Sequence, residues 1–269
     1  MAITYNVRDH NIHLLYMRSF VLFIFALLTA VSPTLADALP SADKLASQGE
    51  FYAKHRRYDE ALQCFQQGIK ADPKFAKNYW LAARMLEGVD RHQESIDLLS
   101  KGLAVCPPDG HMFYFRCNAY YAVGSRDKAR ADIQRAIEID AHDPYYVMKR
   151  ADLELDAHDN ESALKDYNKT IDVIKADSSA DKATKRDLAG THAMVEIFIA
   201  NIYRNTGKFQ LAVDHYTTAL NMPALVTHRE HTLTDRASCY DKLGKHDLAA
   251  ADRKAAAVGS NDVLNDLMK

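Results

Sequence analysis

Glycine and proline are scarce in this chain, ten and seven in 269 residues, and runs of alternating β-branched residues are missing. A sheet fold with many tight turns is therefore excluded. Long segments carry apolar residues at helical spacing instead, and they predict an all-α protein. Charge of one sign is lacking too: 34 lysines and arginines face 36 aspartates and glutamates, a formal charge of −2, and no basic block occurs. Without a cationic stripe to neutralise phosphates, nucleic acid drops out as a partner. With 48% hydrophobic and 26% charged residues, the remainder has ordinary globular composition.

Motifs that carry chemistry are also absent. No Gly-rich phosphate loop, Gly-x-Ser-x-Gly elbow or zincin motif occurs. Twelve histidines do not change this. His228 and His231, three apart, can share a helix face, but no third ligand at a defined spacing follows, so both are expected at the surface or at a hairpin junction. The identical tetrads Asp140-Ala141-His142-Asp143 and Asp156-Ala157-His158-Asp159 read more simply as caps and turn formers than as a calcium or catalytic pair. Cys64, Cys106, Cys117 and Cys239 fit no disulfide framework and are expected as free, mostly packed thiols, with a Cys106–Cys117 bridge as the alternative. The expectation is a protein with no catalytic residue, no metal site and no cofactor, and not an enzyme.

One long hydrophobic run is present, Phe20 to Val31, preceded by Arg18 and followed by Pro33, Ala36 and Ala38. A basic flank, an apolar run, a helix breaker and small residues at spacing two have the order of a secretory signal over residues 1–38, with Met17 as a possible start. Cleavage after Ala36 or Ala38 would leave a chain beginning near Leu39. The competing expectation is an uncleaved membrane anchor, because Ser19 to Ala36 carries no charge and approaches the roughly 20 residues a spanning helix needs. Either way the rest of the chain is expected outside the cytosol, exported to a periplasm or secreted, or anchored to a membrane.

From Ala42 onward the chain falls into a frame of 34 residues: 42–75, 76–109, 110–143 and 144–177, then, after an insertion around Ser178 to Thr191, 193–226 and 230–263. Each copy places small residues at its eighth, twentieth and twenty-seventh positions. They are Gly49, Ala61, Gly68; Ala83, Ser95, Gly102; Cys117, Ala129, Ala136; Ala151, Ala163, Thr170; Ala200, Ala212, Ala219; and Ala237, Ala249, Ala256. Gly124, Gly207 and Gly244 occupy the fifteenth position, and Pro73 closes the first copy. With Tyr52, Tyr58 and Phe65 between the small sites, the first copy resembles the tetratricopeptide repeat.

That resemblance implies an α-solenoid of about six helix-turn-helix hairpins over residues 42–269, with small residues where paired helices approach closely. In the fourth copy Glu154 stands where a tyrosine is usual and Asp177 replaces the closing proline, so its second helix is expected to run on toward Lys175. Ser178 or Ser179 is a plausible helix cap, and residues from about Asp181 either loop or extend the next helix. Asn261 to Lys269 is expected to form a short C-terminal capping helix over the last hairpin.

The resemblance also implies a function: a scaffold binding a protein or peptide in a concave groove lined by first helices. Carried over by position, the groove residues are Trp80, Arg84, Tyr114, Asn118, Tyr121, Tyr145, Met148, Asp152, Asn201 and Arg204. Their aromatic, amide and guanidinium groups have the composition of binding hot spots; the competing expectation is that some of the rings pack within the superhelix. The carboxylate clamp of chaperone-binding relatives is missing: Ala46 and Glu50 stand in the first copy, and Tyr114 with Asn118 in the third. A terminal-carboxylate ligand is therefore not expected. The alternative is a membrane-tethered assembly or co-chaperone-like factor using the same repeats.

Overall fold

The computed structural model describes residues 40–177, 182–223 and 228–267. The N-terminal apolar run, Ser178, Ser179 and the last two residues lie outside them. Among the described residues there are twelve helices and no strand: α1 Ala42–Lys54, α2 Tyr58–Ala71, α3 Ala76–Glu87, α4 His92–Val105, α5 Gly110–Ala122, α6 Arg126–Ile139, α7 Pro144–Asp156, α8 Asn160–Ala176, α9 Lys182–Asn205, α10 Phe209–Leu220, α11 Arg229–Lys242 and α12 His246–Leu267. The fold is an all-α helical repeat. It divides into two compact units, one up to Met85 and one from Leu86.

Local chemistry starts and stops these helices where the frame places them. Ser41 caps α1 by accepting from Lys44 N. Asp109, Asp143 and Asp159 cap α5, α7 and α8, accepting from backbone N–H groups at 2.8 to 3.2 Å, and Pro144 sits in the first turn of α7, where no donor is missed. The two Asp-Ala-His-Asp tetrads thus act as caps and turns. The residue at the fifteenth position has positive φ in every hairpin: Gly124, Gly207 and Gly244, but also Arg56, Asp90 and His158. Behind each, the following N–H returns to a carbonyl five residues back, as Ser125 N does to Tyr120 O at 2.8 Å and Asp159 N to Glu154 O at 2.9 Å. That closing bond ends the helix even where the left-handed residue is not glycine.

In the first unit the core is built by Leu45, Ala46, Ala61, Phe65, Tyr79 and Leu81, all buried. A Cβ on Gly49 would lie 2.7 Å from Cζ of Phe65, so at this crossing only hydrogen fits and α1 and α2 close to contact. In the second unit three apolar clusters follow one another. Cys117, Ile133, Ala136, Tyr146 and Leu153 join α5, α6 and α7. Ala151, Tyr167, Ile171, Val195 and Ile199 join α7, α8 and α9. Ile197, Val213, Tyr216, Leu233 and Cys239 join α9 to α11, with Ala256 of α12. Each cluster takes residues from a hairpin and from a neighbour, because a lone hairpin leaves its apolar face wet.

All eighteen small sites are buried. The four cysteines are free thiols, three of them buried. Helix α8 runs to Ala176, and α9 starts at Lys182, so the insertion extends the fifth hairpin's first helix where a loop was the other possibility. The C-terminus differs from expectation. Residues 261–267 are helical but continue α12 without a break; no separate capping helix forms. Gly259 alone costs a helix about 1 kcal/mol, too little to end it without turn chemistry beyond. Arg253 is exposed and pairs with Asp241.

Candidate functional site

Trp80 and Arg84 lie on α3 in the first unit, Trp80 half-buried and Arg84 exposed. The other eight expected groove residues belong to the second unit, on the first helices α5, α7 and α9. The ninth position of the repeats that these three helices open holds Asn118, Asp152 and Asn201. Two of the three are fixed from behind by a buried tyrosine of the hairpin's second helix: Tyr167 donates to Asp152 Oδ1 at 2.6 Å and Tyr216 to Asn201 Oδ1 at 2.5 Å. Burial pushes both phenols up, so they stay protonated donors. Burial also pushes the Asp152 carboxyl up, against the hydrogen bond from Tyr167 and the charge of Lys149.

Around this line the aromatic residues divide. Tyr114 is packed, its ring 5.5 Å from that of buried Tyr146 and 5.2 Å from Phe115, while its hydroxyl is hydrogen-bonded to Asn118. Tyr121 lies between cations, with the Arg126 guanidinium 3.8 Å and the Lys149 ammonium 4.6 Å from its ring centre. Its hydroxyl donates to Asp156 at 3.1 Å, and Asp156 in turn pairs with Arg126 at 2.9 Å. Tyr145 reaches from α7 to Asp187 of α9 at 2.8 Å. Met148 packs against the α7–α9 core, and Arg204 pairs with Asp235 of α11. The structure therefore brings Tyr121 and Asp152 to Lys149, joins Tyr114 to Asn118, and puts Met148 and much of Tyr114 into packing.

Two residues of this cluster were not singled out from sequence. Lys149 holds a sixth position, which the repeat pattern does not assign to ligand. Glu87 holds the twelfth position of its copy, the same as Tyr121, so the frame did carry a signal for it. Burial pushes the Glu87 carboxyl up to about 7, opposed by a hydrogen bond from Ser95 and by the charge of Lys149.

A second recurring feature was also unforeseen. At the seventh position Arg116, Arg150 and Arg236 each grip an aspartate at the twenty-third, Asp132, Asp166 and Asp252, through two hydrogen bonds of 2.6 to 2.8 Å. The third nitrogen of each guanidinium donates to the preceding hairpin, to Ser100, Gln134 or Thr217, at 2.9 to 3.1 Å. One rigid fork thus ties two helices of a hairpin and the hairpin before it. The fifth hairpin lacks the fork. Ile199 and His215 hold its two places, and His215 bonds instead to buried Glu196 at 2.7 Å, with His192 on the other oxygen at 3.3 Å.

Two segments, residues 47–110 and 197–230, match family profiles described as tetratricopeptide repeat. Among curated proteins, anaphase-promoting complex subunit 3 of Schizosaccharomyces pombe is 23% identical over 196 residues, 66% of this chain and 30% of that protein. Among solved structures, the APC/C hetero-tetramer Cut9–Hcn1 superposes with a TM-score of 0.65 at 17% identity, covering 88% of this chain and 44% of the other. PilF of Pseudomonas aeruginosa gives 0.64 at 13% identity, covering 78% and 88%. The chain thus spans under half the length of the first of these structures and under a third of the curated relative. At such identities the structures share its fold. The chain carries tetratricopeptide repeats within an all-α helical-repeat architecture.

Proposed function

We propose that this chain of tetratricopeptide repeats is a non-enzymatic, exported scaffold that holds an extended segment of a protein partner along the first helices of its second unit, the face read above as concave. The observation that carries the reading is the ninth-position series Asn118, Asp152 and Asn201 on three successive first helices, half-buried and, at two of the three places, anchored by a tyrosine. Groups held in one rotamer at the repeat spacing match the regular donors and acceptors of an extended backbone at low entropic cost. Tyr121 and Tyr145 add rigid area beside them. Export is supported by the apolar run before Pro33 and by Ala36 and Ala38; N-terminal sequencing of the native protein separates a free chain starting near Leu39 from one tethered to a membrane.

The test of the binding reading is affinity capture of the chain against its own compartment, beside a bait with Asn118, Tyr121 and Asn201 changed to alanine. Circular dichroism verifies that the altered bait is folded. Loss of the captured partners, or a drop in affinity of about tenfold or more, is the expected result. An identical captured set with both baits overturns the assignment of this face.

A further inference from the structure

Glu87, Asp152 and Lys149 form a half-buried group in the second unit whose charges do not cancel. Glu87 accepts from Ser95 Oγ at 3.3 Å and Asp152 from Tyr167. Among the described residues neither carboxylate has a cation within ion-pair distance, and Lys149 rests on the Tyr121 ring instead of on a carboxylate. Nearby ionic groups are already matched: Arg126 with Asp156, Arg116 with Asp132, Arg150 with Asp166 and Arg204 with Asp235. Two carboxylates against one ammonium leave the group one positive charge short.

We propose that the segment bound along this face presents a basic side chain, lysine or arginine, to Glu87 and Asp152. This rests on the reading of the face as peptide-binding and supplies the chemistry of its ligand. The two carboxylates receive the head of such a side chain, and Asn118, at the same repeat position as Asp152, supplies an amide for the segment's backbone. An acidic or terminal-carboxylate segment would meet two like charges, which agrees with the absence of a carboxylate clamp.

The same deficit makes binding depend on pH. Around Glu87 stand Ser95 of α4, Tyr114 and Cys117 of α5, and Lys149 of α7, with Asp152 beyond Lys149, and none of these supplies the missing charge. Below neutrality a proton on Glu87 does so. As pH rises through about 7 the proton leaves, the group becomes negative, and a ligand cation takes its place. Binding of a basic segment therefore strengthens with pH, by about tenfold between about pH 6 and pH 8 if one proton is displaced.

The experiment is a randomised synthetic peptide library screened against the full chain and against Glu87→Gln, followed by titration of the recovered peptides at both pH values. Expected are binders enriched in lysine or arginine, the tenfold gain toward higher pH, loss of both in Glu87→Gln, and tighter binding of the same peptides by Lys149→Met, from which the competing cation is gone. Binders without basic enrichment, or a pH response unchanged in Glu87→Gln, overturn the proposal while leaving a peptide-binding face intact. No binder from the whole library overturns both.

Discussion

In the hairpin α5/α6 the guanidinium of Arg116 closes on Asp132, and in α7/α8 Arg150 does the same with Asp166; in α9/α10 the corresponding places hold Ile199 and His215, and the carboxylate comes from Glu196 on the first helix. Both arrangements put a buried acid between two paired helices and satisfy it from the facing helix. They differ in two respects. The permanently charged arginine grips its acid through two hydrogen bonds and also reaches the preceding hairpin through Ser100 or Gln134, whereas the histidine makes one bond to its acid and stays inside its own hairpin. The small-residue nest is common to all, so the polar contact is the part of the repeat that can be exchanged without changing the fold.

Removing the cation from the permanent version breaks the comparison most severely. Arg150→Met leaves Asp166 buried without its partner and is expected to cost about 3 kcal/mol; His215→Leu is expected to cost clearly less, since Glu196 keeps His192. Urea unfolding of the two variants decides it, and equal losses would mean that the fork adds nothing. Next in size is the shared feature. Ala129 and Ala212 hold the same twentieth position and are both fully buried, so Ala129→Leu and Ala212→Leu are each expected to destabilise by about 1 to 3 kcal/mol through overpacking. Unequal melting shifts would count against one common nest.

The smallest effect is the titration of the fifth hairpin, because its causes oppose one another. Burial raises the Glu196 carboxyl, and the hydrogen bonds and charges of His215 and His192 more than offset it, leaving it below its ordinary value of 4.5. A depressed carboxyl contributes stability that is present above the unfolded value and is lost as pH falls through the folded one. Hydrogen-exchange protection in α10 is therefore expected to decline below about pH 4.5 in the native chain. The decline should be shallower in Glu196→Gln.

Much of the hairpin plan was legible before the structure. Eighteen small sites, the turns at Gly124, Gly207 and Gly244, and the long second helix of the fourth copy follow from side-chain size and backbone freedom, which are properties of single residues at a fixed spacing. Less was legible in the site. Tyr114 and Met148 have the same residue types and register as surface groups, and only their neighbours Tyr146 and the α7–α9 core make them packing residues. Lys149 sits outside the ligand-facing positions, and Glu87 was one carboxylate among 36 acidic side chains. Nothing in its local sequence announces that burial raises it. The forks of Arg116, Arg150 and Arg236 were written as an Arg and an Asp sixteen residues apart, a spacing that acquires meaning only once two helices lie side by side.

What the chain of residues determined alone was therefore the length of each hairpin and the places where helices come close, because backbone sterics and side-chain volume act locally. The tertiary structure decided which charges meet, which of them are stripped of water and which group is left one cation short. Electrostatic energy depends on distance and on the surrounding medium, and neither exists until the helices have packed.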